Sequence, residues 1–195
     1  MVPRTESVPP SAPRLDGYRD PTAFTYPRLR LQAAGLVATL LAAVAGMALT
    51  AIPRGGSVSV SVGPTAFVGL GLALVATVLA HEGVHAAVAR LRGYRITAGL
   101  DLRLPGAYVA ALEQAIPRRD QVLVALAPLV VLTTLLAPLL LFAEGWLLGA
   151  ALVGFVMNTA GAVGDVYVAW RALRLPPGTV FYDVSVDEMY VYEPR

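Results

Sequence analysis

The sequence has no cysteine and only two histidines among its 195 residues. The lack of cysteine excludes disulfide bonds, thiolate metal sites and a cysteine nucleophile. Any metal site must therefore use nitrogen and oxygen ligands. Charged residues are also scarce, at 14%, whereas 56% of the residues are hydrophobic, which is more than a soluble domain of this length needs for its core. This composition is typical of a membrane protein.

The basic residues do not form a nucleic-acid-binding surface. The net charge is +2, and the arginines lie in loops and flanking segments, without a basic stripe or interleaved aromatic residues. We therefore predict no nucleic-acid partner. The sequence gives no indication of an oligomeric state.

Four long apolar segments follow one another along the chain, at about residues 31–52, 64–89, 122–142 and 146–170. Each reaches or exceeds the roughly 20 residues that a bilayer-spanning helix requires. Buried helices of a soluble bundle are the alternative, but nearly unbroken apolar runs without a polar face favour the membrane. We predict an all-α integral membrane protein of the cell membrane, with about four transmembrane helices in the lipid bilayer.

Arginine placement and composition divide the chain and orient it. Residues 1–27 are rich in proline and predict a disordered cytosolic tail, residues 28–175 a polytopic membrane domain, and residues 176–195 a cytosolic C-terminal tail. Arginines flank the first and fourth segments and fill the central connection, whereas the other two connections hold only Arg54. The positive-inside rule then places both termini and the central loop in the cytosol. Partial apolar-polar alternation in residues 96–112 and 179–193 predicts short β-like segments there.

The second apolar segment contains the motif HEGVH, residues 81–85, which holds both histidines. On a helix, His81 and His85 lie one turn apart on one side and can bind one ion. In an H-E-x-x-H motif the histidines bind Zn²⁺ and the glutamate, here Glu82, acts as general base toward the metal-bound water. The alternative is that these side chains only pair with other polar groups between helices. A charged side chain at the centre of a spanning helix costs roughly 2.5–3.5 kcal/mol, which favours a functional role.

A third zinc ligand must come from a carboxylate, because the chain has no cysteine and no further histidine. Asp165 in the fourth segment lies at the same depth as His81 when both are counted from the outer side at 1.5 Å per residue. Asn158 lies seven residues earlier on nearly the same helical face, and small residues between them allow a neighbouring helix to approach. Alternatively, Asp165 faces Arg171 or water at the interface. Weaker ligand candidates lie in the predicted cytosolic segments: Asp101, Asp183, Asp187 and Glu188.

The order of these motifs resembles a known family. HEGVH is followed by a basic loop, then ALAPLVVLT, NTAGAVGD and YDVSVDEMYVYEP, over roughly residues 65–194. This order is similar to that of the small integral-membrane zincin peptidases, which are distantly similar to the site-2 protease metalloproteases. The resemblance implies His81, His85 and Asp165 as zinc ligands, Glu82 as catalytic base, and cleavage of a peptide bond within or next to the membrane.

The sequence therefore predicts a membrane-embedded zinc metalloprotease whose partner is a membrane protein or peptide substrate. Asn158 either contacts the substrate or the oxyanion, or forms an interhelical hydrogen bond. A non-catalytic zinc-binding scaffold or regulator is the alternative function, although such a protein has no need of Glu82 beside its ligands. A small transporter is a third hypothesis, which the lack of an evident internal repeat disfavours.

Overall fold

The computed structural model describes residues 12–57, 63–101 and 106–195 of the chain. Most of the chain is helical. The helices are α1 (Arg28–Ala51), α2 (Pro64–Leu91), α3 (Arg118–Phe142), α4 (Gly145–Gly161) and α5 (Val163–Leu173), and a short 3-10 turn (Ile52–Arg54) follows α1. The strands are β1 (Thr22–Ala23), β2 (Thr97–Asp101), β3 (Gly106–Ala110), β4 (Ala115–Pro117), β5 (Val180–Asp183) and β6 (Met189–Tyr192).

Four helical stretches are long and apolar enough to cross a membrane: Arg28–Arg54, Ala66–Leu91, Arg118–Phe142 and Gly145–Leu173. They match the four predicted segments, so this part of the fold prediction is confirmed. The last stretch is interrupted at Ala162, where α4 ends and α5 begins. The bundle packs tightly where small residues meet large ones, because a Cβ added at Gly46 of α1 would lie 2.6 Å from a methyl carbon of Leu152 in α4.

The ends of α1 and α3 meet at one end of the bundle. Arg54 donates hydrogen bonds to the backbone oxygens of Thr50, at the end of α1, and of Leu140, near the end of α3. Carbonyl groups in the last turn of a helix have no intrahelical partner, and a cation satisfies them well. The single arginine of this region therefore links two helix ends.

Two small antiparallel sheets lie at the other end of the bundle. One has the strand order β1-β6-β5-β4, and the other is the hairpin β2–β3. In the first sheet Phe181 of β5 pairs with Ile116 of β4 and Val191 of β6. These three side chains are buried in one cluster with residues of α3 and α5. The predicted strand-forming segments thus do form strands, and they cover the end of the bundle where α2 ends and α3 begins.

The N-terminal segment differs from its prediction as a disordered tail. From Ala12 onward it lies along the first sheet, where Thr22 pairs with Val191 and the Tyr192 hydroxyl donates a hydrogen bond to the Pro13 carbonyl. Phe24 is buried in the same cluster as Phe181. Proline is compatible with a sheet edge, where one side of the strand needs no N–H donor. The predicted division into domains stays a prediction, and residues 1–11 lie outside the described part of the chain.

Candidate metal centre

Three predicted ligands meet at one point between the helices. His81 and His85 lie one turn apart in the second half of α2, and Asp165 lies in the first turn of α5. Asp165 Oδ2 is 3.1 Å from His81 Nε2 and 3.5 Å from His85 Nε2. One ligand atom from each of the three residues lies within 4.8 Å of the others. The group is half-buried, which leaves it open to a small ligand.

These residues fit a zinc ion. Tetrahedral ligands placed about 2.0–2.2 Å from zinc lie roughly 3.3–3.5 Å apart, which is close to the two observed separations. Two imidazole nitrogens and one carboxylate oxygen are the ligand set of many catalytic zinc sites, in which the fourth position stays open. The predicted cofactor thus has a suitable site in the structure.

The His81 ring is held from behind by Asn158. Its Nδ1 lies 3.0 Å from Asn158 Oδ1, and this oxygen only accepts hydrogen bonds, so Nδ1 carries the proton and donates. Nε2, which lies 3.1 Å from Asp165 Oδ2, is then the ring nitrogen directed at the metal position. The Asn158 side chain is only 1% exposed, and its Nδ2 donates to Thr133 Oγ1 at 3.4 Å. This position favours the interhelical hydrogen bond over the predicted contact with substrate or oxyanion.

The His85 ring is held in the same way, but by a backbone group. Its Nδ1 lies 2.9 Å from the carbonyl oxygen of Val124 in α3, so this Nδ1 also donates and Nε2 is again free. Metal-binding histidines usually donate their second N–H to such an acceptor, which fixes the ring and its tautomer. The role of Val124 was not predicted from the sequence, because a backbone acceptor leaves no side-chain motif. The signal that could have revealed it is a proline four residues further along the same helix.

Glu82 lies next to the ligands without joining them. It lines a cavity of about 150 Å³ together with His81, Asn158 and Gly161. The backbone N–H of Val109 in β3 lies close to its carboxylate. Glu82 therefore lies beside the ligand group and borders a small cavity.

A family comparison agrees with this geometry. The family model described as "Putative zincin peptidase" matches residues 74–180, which is just over half of the chain and includes every residue of the metal centre. The chain belongs to this zincin peptidase family. No curated protein and no solved structure shows a significant match to the chain. The predicted similarity to site-2 proteases has no support in these comparisons and stays a prediction.

A cavity of about 210 Å³ opens beside the zincin-type centre. His85 and Asp165 line one wall, and Tyr26, Val109 and Asp183 line others. Burial raises the pKa of Asp183 to about 6. The pKa of Tyr26 is raised well above its usual value, mainly by burial and also by the nearby carboxylates of Asp183 and Asp165. Through Tyr26, Val109 and Asp183, the N-terminal segment, the β2–β3 hairpin and strand β5 all contribute to the wall of this cavity.

Three other acidic candidates are not part of the ligand group. Asp187 and Glu188 are exposed, and Asp183 is not one of the three residues that share a metal position. Arg171, the alternative partner proposed for Asp165, instead donates to the Tyr167 hydroxyl at 3.0 Å and lies over the Phe24 ring. The geometry thus favours Asp165 as a ligand over Asp165 as an interfacial ion pair.

Proposed function

We propose that this zincin-family protein is a membrane-embedded zinc metallopeptidase that cleaves a peptide bond within or next to the membrane. The observation that carries the proposal is the arrangement of the histidine rings. Both Nδ1–H groups are used by acceptors inside the protein, so both Nε2 atoms converge on Asp165. Such orientation from outside the ligand group is characteristic of metal sites.

His81, His85 and Asp165 would hold the zinc ion. Zinc bound there would lower the pKa of water and polarise the substrate carbonyl. Glu82 would accept a proton from the attacking water on its carboxylate and pass it to the leaving nitrogen. Its position beside the ligands, with Val109 N–H as a neighbour, supports this role.

The substrate segment would have to be extended at the site, because a helix shields its own peptide bonds. β3 lines the larger cavity through Val109 and Ala110, and in the described part of the chain it pairs only with β2. Its other edge could accept an extended segment by β-strand addition. The substrate would be a membrane protein or a peptide at the membrane surface.

Embedding in the membrane is supported by the outer surface of the bundle. Large apolar side chains face outward along the helices, including Leu36 and Leu40 of α1, which are 70% and 68% exposed, and Phe67 of α2, which is 67% exposed. Apolar surface of this extent is expected against lipid. We propose the cell membrane as the location, with both termini in the cytosol. A reporter inserted after position 105 should then be cytosolic, and one inserted near position 59 external; the reverse pattern would refute this orientation.

The proposed function is tested by Glu82→Gln. This variant should fold and bind zinc as the wild type does, since Glu82 is not a ligand, but lose turnover because amide nitrogen and oxygen cannot take the proton. Comparative membrane proteomics of cells with wild-type protein and with Glu82→Gln should reveal a membrane protein that accumulates uncut in the variant. If no such difference is found and zinc still binds, the non-catalytic scaffold would be the better function.

A further inference from the structure

The carbonyl group that orients His85 is free because of a proline. Within an α-helix, the carbonyl of Val124 would accept a hydrogen bond from the N–H of residue 128. Residue 128 is a proline inside α3 and has no N–H. In a regular helix the proline ring also clashes with the carbonyl four residues earlier. This oxygen accepts the hydrogen bond of His85 Nδ1 instead, at 2.9 Å.

A proline in this position is costly unless something compensates for it. A buried carbonyl without a partner destabilises the folded state, and so does a proline in a helix interior. Pro128 is fully buried between the helices. Here the imidazole N–H of His85 satisfies the carbonyl that the proline leaves without a partner. The helix defect and the histidine orientation therefore compensate each other.

We propose that Pro128 is a positioning residue for the metal centre, which keeps the Val124 carbonyl available to hold His85 with its Nε2 directed at the metal position. The inference rests on the proposed function in one respect, that the centre binds zinc. Its structural part, the control of the His85 tautomer, applies to the metal-free protein as well.

The chain offers a matched control in the same helix. Pro138 also lies inside α3, further along the helix from the metal centre. It likewise leaves a carbonyl, that of Thr134, without its helical N–H partner. Pro128→Ala and Pro138→Ala each restore one N–H to α3. Only Pro128→Ala provides an N–H that can donate to the Val124 carbonyl, which accepts the hydrogen bond of His85.

The experiment measures two properties of the purified full-length protein. The zinc dissociation constant is obtained by competition with a chromophoric chelator. The tautomers of the two histidines in the metal-free protein are obtained from ¹⁵N NMR of the imidazole nitrogens. Since the chain has only two histidines, His81, which is held by Asn158, is an internal reference.

Pro128→Ala should weaken zinc binding about 10- to 100-fold, the usual cost of removing a group that orients a metal ligand. In the metal-free variant His85 should lose its fixed Nδ1–H tautomer, whereas His81 should keep its own. Pro138→Ala should leave both properties unchanged. A Pro128→Ala protein that binds zinc within about twofold of the wild type, with an unchanged His85 tautomer, would overturn the proposal.

A second substitution separates the missing N–H from the packing of the proline ring. Pro128→lactic acid, introduced by nonsense suppression, places the side chain of alanine on an ester that has no N–H. It should retain tight zinc binding and the His85 tautomer. If it behaves like Pro128→Ala, the ring matters only through packing and the proposal is wrong. If Pro128→Ala does not fold, Pro128→Val takes its place in the comparison, since it restores the N–H and fills more of the ring's space.

These results are distinguishable from failure of the proposed function. A wild-type protein that does not bind zinc would refute the zinc peptidase. The tautomer of His85 in the metal-free variants would still decide whether Pro128 acts through the Val124 carbonyl.

Discussion

Replacing Asp165 tests the third ligand most directly. Asp165 Oδ2 is the only anionic donor of the group and lies 3.1 and 3.5 Å from the two imidazole nitrogens. Loss of a group that merely orients a ligand costs about 10- to 100-fold in metal affinity, and loss of a ligand should cost at least as much. We therefore expect Asp165→Ala to weaken zinc binding by about 100-fold or more, which is about 2.7 kcal/mol. Asp165→Asn should be similarly weak, because it keeps the shape but removes the charge.

The assay is the zinc dissociation constant of purified protein, measured together with helix content by circular dichroism. Asp183→Ala is the matched control, because its carboxylate lines the adjacent cavity but does not belong to the ligand group. It should bind zinc within about threefold of the wild type, since no ligand is lost. If Asp165→Ala binds zinc as the wild type does, or if Asp183→Ala loses the metal instead, the ligand assignment is wrong.

Three further predictions concern the surroundings of the centre. Asn158→Ala should weaken zinc binding by about 10- to 100-fold while retaining the metal site, because His81 loses the acceptor that fixes its tautomer; normal affinity together with slower turnover would restore the oxyanion role. Asp120→Ala should lower the free energy of unfolding by about 1–3 kcal/mol in chemical denaturation, because this buried carboxylate accepts hydrogen bonds from Arg92 and Tyr94. If the free energy of unfolding falls no more than in a variant at an exposed position, these hydrogen bonds do not stabilise the fold. Burial raises the pKa of Asp183 to about 6, so the folded state holds this proton more tightly than the unfolded chain. The metal-free protein should therefore lose up to about 3 kcal/mol of stability as the pH rises from about 4 to about 6, and Asp183→Asn should abolish that slope.

The helices were the most predictable part of the fold. Apolar runs of about 20 residues specify a helix by composition alone, since few other structures satisfy their backbone in an apolar layer. The interruption at Ala162 was not predicted, because the sequence around it remains apolar and contains no proline. Its consequence is local: a new helix begins there, with Asp165 in its first turn, where a carboxylate is favoured by the helix dipole.

The N-terminal segment was the least predictable part. Its proline content is typical of a disordered chain, and no short-range pattern distinguishes such a chain from one that lies along a sheet. What orders residues 12–27 is a set of contacts with the opposite end of the chain, such as the hydrogen bond from Tyr192 to Pro13 and the burial of Phe24 beside Phe181. Contacts between residues so far apart are invisible to local composition. They also bring Tyr26 to the wall of the cavity, a position that no local pattern predicts.

The metal centre combines both situations. The pair His81 and His85 follows from helical periodicity, and Asp165 follows from depth and from elimination, because few donors exist in this chain. The groups behind the histidines follow from neither, since they come from helices α3 and α4, which only the tertiary fold brings to α2. A buried imidazole needs an acceptor for its second N–H, so two acceptors had to exist once both histidines were assigned to a metal. One of them is the side chain of Asn158, a residue already predicted to lie near the site. The other is the Val124 carbonyl, which Pro128 leaves without a helical partner. Pro128 has no N–H and no polar side chain, and it acts on the site only because it leaves this carbonyl available to His85.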